Sequence, residues 1–369
     1  MTVKVCHITS AHKSNDNRIF QKECVSIAKD KHFDVYLVAP GESREERSVK
    51  VIGVGEKPAG RLKRMLFFSK HVYNVAVKVD ADIYHFHDPE LLSAGLKLKK
   101  LGKKVVFDSH ENTVEQIRIK EYLPKMLRNL IANVFYTWET HVCKMIDAVI
   151  FPCLVNGKNP FEGRCKETIF INNYPYLSEF LNVEKKEPEY DICVIGSLTP
   201  ERGITQLLEA CKAVGAKIAL AGEFSPAGYE AELREKGLLD CAVYLGNCNR
   251  QQVVDIYSKT KIGASTILPV GQYPSIDNLP TKVYECMATG LPVIISDFNY
   301  PKSVMKDFEF GICVDCEDID QLSSAIKLLM NNSELRTQMG EEGKRAITDV
   351  FNWEMEAEKI IQLYLRLKS

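Results

Sequence analysis

Neither sign of charge prevails in this sequence. Its 369 residues carry 48 Lys and Arg against 49 Asp and Glu, a formal net charge of -1. That balance excludes the strong basic bias of a chain whose main partner is nucleic acid. Apolar runs long enough to cross a bilayer are missing. The twelve cysteines form no CxxC pair and no Cys/His ligand cluster. Cys6, Cys24, Cys143, Cys153, Cys165 and Cys193 are scattered, mostly inside apolar runs, as free thiols of a reducing compartment are. The start, Met1-Thr-Val-Lys-Val-Cys-His-Ile, reads as a first strand rather than a signal peptide. What remains is a cytoplasmic chain whose 45% hydrophobic content can bury two ordinary α/β cores.

Short apolar runs alternate with helical stretches from end to end. Val3–Thr9, Phe33–Ala39, Val49–Gly53, Ile83–Phe86, Val105–Phe107 and Val149–Phe151 have strand character, with a first helix around Ile19–Lys29. The pattern restarts at Asp191–Ile195 and continues through Lys217–Ala221, Ala242–Leu245, Ile262–Ala264 and Pro292–Ser296. Such alternation predicts parallel sheets covered on both faces. The charged, proline-bearing stretch 182–189 reads as an inter-domain linker. The expected organisation is a Rossmann-like domain over 1–181, a second over 190–350, and a closing amphipathic helix in 351–369. A cleft between the two doubly wound domains, facing the carboxyl ends of the strands, is where a ligand is expected.

Chemistry-bearing residues gather where strands give way to helices. Asp277 and Glu285 flank a loop that opens a helix at about Thr281. The first turn of that helix offers unpaired N–H groups and a positive dipole end to diphosphate or sugar oxygens. Glu285 can accept both hydrogens of a ribose diol; alone, it reads equally well as a surface carboxylate before a Gly-Pro turn. In Gly196-Ser197-Leu-Thr-Pro-Glu-Arg202-Gly203, glycine permits close approach of a phosphate and Arg202 supplies a cation at the helix start. His85 and His87 project from the same face of a strand end. Two histidines at that spacing can chelate a metal, but no third ligand stands in the string, so no metal site is expected. The DxD strings Asp80-Ala-Asp82 and Asp318-Ile-Asp320 lie away from the donor loop. Two basic–aromatic stretches, Arg61–His71 and Ile117–Cys143, suit helices lying in a membrane interface, and equally helices packed on a sheet.

These strings together resemble glycosyltransferase family 4. The stretch from Asp277 through Glu285 to Gly290, Pro292 and Ile294 is similar to the family's carboxylate-x7-carboxylate donor element, which usually begins with Glu. The resemblance implies that Glu285 holds the ribose, and that Asp277 or the loop Asn278, Leu279, Pro280, Thr281 and Lys282 holds the donor sugar. The glycine-rich turn resembles the family's "G-R-L…E-K-G" diphosphate loop, with Arg202 in place of lysine and Ser197 where an arginine is usual. Ile83-Tyr-His85-Phe-His87-Asp88-Pro89 resembles the "H-x-H-x-P" turn, which makes His87, with Asp277, the catalytic candidate. Asp108-Ser-His110-Glu111 resembles an acceptor-side "D-x-H-E". Asp16-Asn-Arg18-Ile-Phe-Gln-Lys22-Glu23 resembles a subgroup associated with bacterial surface polysaccharides. There Arg18 or Lys22 is a candidate for the missing diphosphate cation, against the plainer reading of an exposed capped helix.

The resemblance covers nearly the whole chain. It implies a GT-B fold of two facing Rossmann-like domains and retaining, metal-independent transfer from a nucleotide-diphosphate sugar. That sugar is a co-substrate, and no other cofactor is expected. A glycan or lipid-linked acceptor, met at the inner face of the membrane, is the expected partner. A nucleotide-sugar 2-epimerase of the same fold and a non-catalytic nucleotide-sugar-binding partner are the competing expectations.

Overall fold

The computed structural model describes residues 2–60, 63–118, 124–180 and 183–368. Arg61, Leu62 and residues 119–123 of the two basic–aromatic stretches lie outside the described residues. So do Leu181 and Asn182 at the expected boundary, and the two terminal residues. The chain forms two units, Met1–Asn173 with Met355–Ser369, and Tyr174–Glu354.

The first unit is built on an eight-stranded sheet among the described residues. Its strands are β1 (Val3–Ile8), β2 (Phe33–Ala39), β3 (Arg44–Glu46), β4 (Val49–Gly53), β5 (Ile83–Phe86), β6 (Lys104–Asp108), β7 (Ala148–Phe151) and β8 (Thr168–Phe170). The spatial order is β3-β4-β2-β1-β5-β6-β7-β8, parallel except for the antiparallel β3–β4 pair. The chain winds outward from β1 to one side and from β5 to the other, so the order reverses between β1 and β5. Valine and isoleucine fill these strands because their branched side chains suit a pleated surface buried on both faces. Val5, whose Cα partners are Val35 and Ile83, is wholly buried.

The second unit repeats the design. Strands β9 (Tyr190–Ile195), β10 (Ile218–Ala221), β11 (Ala242–Gly246), β12 (Thr260–Ser265), β13 (Val293–Ser296) and β14 (Gly311–Val314) lie in the order β11-β10-β9-β12-β13-β14. All pairs are parallel, and the reversal falls between β9 and β12. Leu207, Leu208, Ile218, Leu220, Ile262 and Ile326 pack one face of this sheet. Cys193, Tyr257, Val283, Met287 and Val293 pack the other.

The expected linker is not one. Residues 183–189 belong to the second unit, where Lys186 N–H donates to Ser258 O at 3.0 Å and Glu189 N–H to Lys259 O at 2.8 Å. Lys186 Nζ also pairs with Asp255, and Phe180 just upstream is fully buried. Its charges are those of a strap hydrogen-bonded along the sheet's flank, and the units part earlier, at Asn173. The closing helix Trp353–Lys368 starts in the second unit and counts with the first from Met355 onward. Tyr364, Ile360 and Leu363 on it are wholly buried. The twelve cysteines are unpaired.

Candidate functional site

In the second unit, the site grows from the point where the strand order reverses. β9 is followed by Gly196, at φ +114°, and Gly196 and Ser197 are exposed. The chain then turns through Pro200–Arg202 to Gly203, at φ +66°. A β-carbon on Gly203 would lie 2.0 Å from the carbonyl oxygen of Thr266, which follows β12. Thr266 in turn donates its hydroxyl to Arg202 O at 3.1 Å. Glycine is therefore required for the β9 loop to lie against the end of β12, and this contact sets where Arg202 stands.

The helix Thr281–Ala288 begins without a side-chain cap, so its first-turn N–H groups keep their positive end for an anion. The loop before it is tied to the helix by Tyr284, whose hydroxyl donates to Asn278 Oδ1 at 2.7 Å and accepts from Leu279 N–H at 3.2 Å. Leu279 is buried, whereas Pro280 is part-buried and Thr281 exposed. Asp277 is part-buried and lies near Tyr300. Burial, followed by repulsion from Arg202, brings the Lys282 ammonium down to about 8. Neither Lys282 nor Arg202 makes a salt bridge among the described residues, although nearby pairs such as Lys302–Asp297 do. Two cations close enough to repel, beside an uncapped helix start, make a place for an anion.

Glu285 is 7% exposed. Arg250 Nη1 donates to its Oε1 at 2.6 Å and the Tyr257 hydroxyl to its Oε2 at 3.0 Å. A carboxylate accepts about four hydrogen bonds, so two acceptor positions remain. Arg250 and Tyr257 escaped the sequence reading because they lie on the helix Arg250–Ser258, outside any recognisable string.

In the first unit, a polar cluster fills the corresponding reversal between β1 and β5. His7, His85 and His87 are at most 1% exposed, and the His85 and His87 rings stack at 4.6 Å. The hydrogen-bonded series runs from His85 Nδ1 to Tyr364 Oη (2.6 Å) and on to His7 Nε2 (3.2 Å). It continues from His7 Nδ1 to His87 Nε2 (2.9 Å), and from His87 Nδ1 to His110 Nε2 (3.1 Å). Burial brings His87 down to about 4 and His7 and His85 well below the usual histidine range, so these rings are neutral near pH 7. Beneath them Arg18 bonds Glu23 at 3.0 Å and Asp108 at 3.0 and 3.2 Å. Burial would raise Asp108, but Arg18 and His110 outweigh it and hold the carboxyl well below its usual range. Burial and then the Asp108 charge push Glu23 well above its own.

Several expectations change here. Arg18 and Lys22 lie on a buried helix, 6% and 3% exposed, not on an exposed one. The Arg18 guanidinium serves two buried carboxylates, and Lys22 Nζ bonds Asn173 Oδ1 at 2.7 Å. Neither is held out to a diphosphate. Asp16 caps that helix, accepting from Arg18 and Ile19 N–H. His87, expected at the sugar, is enclosed with both ring nitrogens occupied; half-buried His110 is the ring nearer the surface. Glu111 stands apart, bonded to Gln116 and lining a cavity of about 250 Å³ with Tyr136, Glu139, Phe161 and Arg164. The histidine pair that lacked a third ligand in the string has two more beside it, His7 and Glu23. Asp318 is occupied capping the helix Ile319–Asn331, while Asp80 pairs with Lys103 and Asp82 with Lys4 N–H.

Comparison with known proteins gives these sites a context. A family model described as "Glycosyl transferases group 1" matches residues 178–346, and one described as "Glycosyltransferase Family 4" matches residues 27–154. Sucrose-phosphate synthase from Thermosynechococcus elongatus superposes with a TM-score of 0.74 at 16% identity, over 99% of both chains. Anabaena HepE, solved in complex with UDP, gives 0.67 at 12% identity, over 99% of this chain and all of that one. The phosphatidyl-myo-inositol mannosyltransferase of Mycobacterium leprae is 22% identical over 308 residues, 77% of this chain and 73% of its own. Two doubly wound domains and these matches define a glycosyltransferase of the GT-B fold. Within that class, the chain is similar to glycosyltransferase family 4.

The Gly203 contact yields a stability prediction. Gly203→Ala should lower stability more than Gly215→Ala, which has a similar φ of +70° but open space around the added carbon. The latter bears only the backbone penalty, roughly 1 kcal/mol. Urea denaturation that ranks the two equally would remove the close approach from the account.

Proposed function

We propose that the protein transfers a sugar from a nucleotide diphosphate to a glycan or lipid-linked acceptor, retaining the anomeric configuration. The observation that carries the donor part is the pair of cations, Arg202 and Lys282, that repel one another at the second unit's strand reversal without a carboxylate partner. The diphosphate supplies the missing negative charge, and Lys282 replaces the arginine that Ser197 lacks. Glu285 accepts the ribose diol through its two remaining lone-pair positions, while Asp277 and the loop Asn278–Lys282 meet the sugar. As the glycosidic bond breaks, the cations and the helix start stabilise the departing phosphate, so no divalent ion is needed at that loop. Retention rests on the family resemblance, with the leaving phosphate positioned to take the acceptor proton. His110, oriented by His87 and Asp108, is the first unit's candidate for the acceptor side.

Calorimetry with UDP and uridine tests the donor reading. Glu285→Ala should weaken both about ten- to a hundred-fold, the equivalent of roughly 1.5–3 kcal/mol for a lost charge-assisted contact. Affinity unchanged for either ligand would remove Glu285 from the ribose.

Lys282 gives a pH dependence with a definite sign. Its free ammonium titrates near 8, and a bound diphosphate favours the charged form and so raises that value. UDP affinity should be level below pH 8 and fall above it, by at most about tenfold per pH unit. Uridine should show no such fall. A flat UDP profile to pH 9.5 would mean that Lys282 does not touch the phosphates.

The acceptor reading rests on exposed apolar surface in the first unit. Leu66 and Phe67 are 64% and 71% exposed, and Met126, Leu130 and Val134 form a stripe four residues apart on the helix Lys125–Met145. No helix among the described residues is long and apolar enough to cross a membrane. A lipid surface accommodates such a stripe, and the mycobacterial relative's name points to a lipid acceptor. Arg64 bonds Glu90, so the membrane-facing charges to change are Lys63, Lys70 and Arg128. The protein should sediment with anionic liposomes at low salt, and K63E/K70E/R128E should not, with its melting temperature kept. Wild-type protein that stays in the supernatant would turn the reading towards a soluble acceptor.

A further inference from the structure

We infer that His7, Glu23, His85 and His87 bind one tetrahedral divalent ion, of which Zn²⁺ is the natural choice, inside the first unit. The four residues each offer a ligand atom, and all four atoms lie within 4.8 Å of one another. Glu23 Oε2 is 3.8 Å from His7 Nδ1, 4.0 Å from His85 Nδ1 and 3.8 Å from His87 Nε2. His7 Nδ1 and His87 Nε2 are 2.9 Å apart. Zn²⁺ at about 2.0–2.1 Å from four ligands holds them roughly 3.3 Å from one another, so the ligand atoms must draw together, the three on Glu23 Oε2 from 3.8–4.0 Å and none from beyond 4.8 Å. The second and independent observation is an orphan. Glu23 Oε2, on a residue with no exposed surface, has no hydrogen-bond partner among the described residues. A buried carboxyl oxygen aimed at three imidazole nitrogens and bonded to none is left unsatisfied, and a cation between them would satisfy it.

The outer contacts fit as well. With Nδ1 on the ion, His7 keeps its Nε2–H for the Tyr364 hydroxyl at 3.2 Å. With Nε2 on the ion, His87 directs Nδ1–H to Asp108 Oδ2 at 3.4 Å, the carboxylate–histidine–metal arrangement that fixes a ligand's tautomer. Glu23 Oε1 stays anchored by Arg18 at 3.0 Å. The bond between Tyr364 and His85 Nδ1 and the one between His7 Nδ1 and His87 Nε2 must be given up, and the Tyr364 hydroxyl turns to His7. A second group, Glu23, His87, Asp108 and His110, fits less well because Arg18 already bonds both oxygens of Asp108. The ion would tie β1, the first helix and the end of β5 into one knot under the closing helix, apart from the donor chemistry.

Elemental analysis of the full-length protein, purified without chelators, should find about one Zn per chain, falling at least tenfold in Glu23→Gln and His7→Asn. Adding Zn²⁺ to chelator-treated protein should raise its melting temperature by about 5 °C or more. Co²⁺ in place of Zn²⁺ should show the visible bands of a four-coordinate ion without thiolate charge-transfer absorption. That spectrum decides the matter on wild-type protein even if both variants fail to fold. Metal below a tenth of an equivalent with no thermal response to Zn²⁺ would overturn the proposal. Equal metal in folded variants, or a thiolate band from any of the cysteines, would overturn it too.

Discussion

A parallel sheet cannot be closed by hairpins. Each strand must be followed by a crossover that returns the chain to the same starting edge, so all strands deliver their carboxyl ends to one side. Where the winding changes direction, the crossovers diverge and leave those ends uncovered. Both polar sites of this protein lie at such reversals, between β1 and β5 in the first unit and between β9 and β12 in the second. The chemistry of each is what the sequence places at those few positions.

The two reversals treat charge in opposite ways. In the first, Arg18 is enclosed with Glu23 and Asp108, so the buried charges compensate one another, and burial keeps the histidines above them neutral. Breaking such a set would leave a buried charge without a partner, which typically costs about 3–5 kcal/mol. In the second, Arg202 and Lys282 face the loop without carboxylates, and the helix start beside them lacks a cap. A closed polar network rigidifies; an open pair of cations waits for an anion. Such a division suits a transferase that must hold its donor by the phosphates while keeping a firm platform elsewhere.

Departures from the family pattern become intelligible at this level. Ser197 stands where the family's diphosphate loop usually carries an arginine, but Lys282, one residue into the helix Thr281–Ala288, lies close enough to Arg202 to feel its charge. The Asp16–Glu23 string offers no compensation, because burial of its helix turns Arg18 and Lys22 inward. The plainer reading of the string is an exposed capped helix, and it is the exposure that fails.

Local pattern determined much of this protein. The runs Val3–Thr9, Ile83–Phe86 and Pro292–Ser296 announced their strands because β-branched residues in short buried runs have few other uses. The glycine-rich turn at Gly196 and the helix opening at Thr281 could be placed because turn and helix-start chemistry is local. The edge strands β8 and β14 were not legible, since half-buried three- and four-residue segments such as Thr168–Phe170 carry too little periodicity. The stretch 183–189 was misread because composition cannot reveal hydrogen bonds to Ser258 and Lys259. Only tertiary structure could bring Tyr257 and Arg250 to Glu285, or set His7, Glu23 and Tyr364 around His85 and His87. Those groups lie 28 to 279 positions from the residues they meet, and a contact across such a span is written in the winding of the sheet rather than in any neighbouring residues.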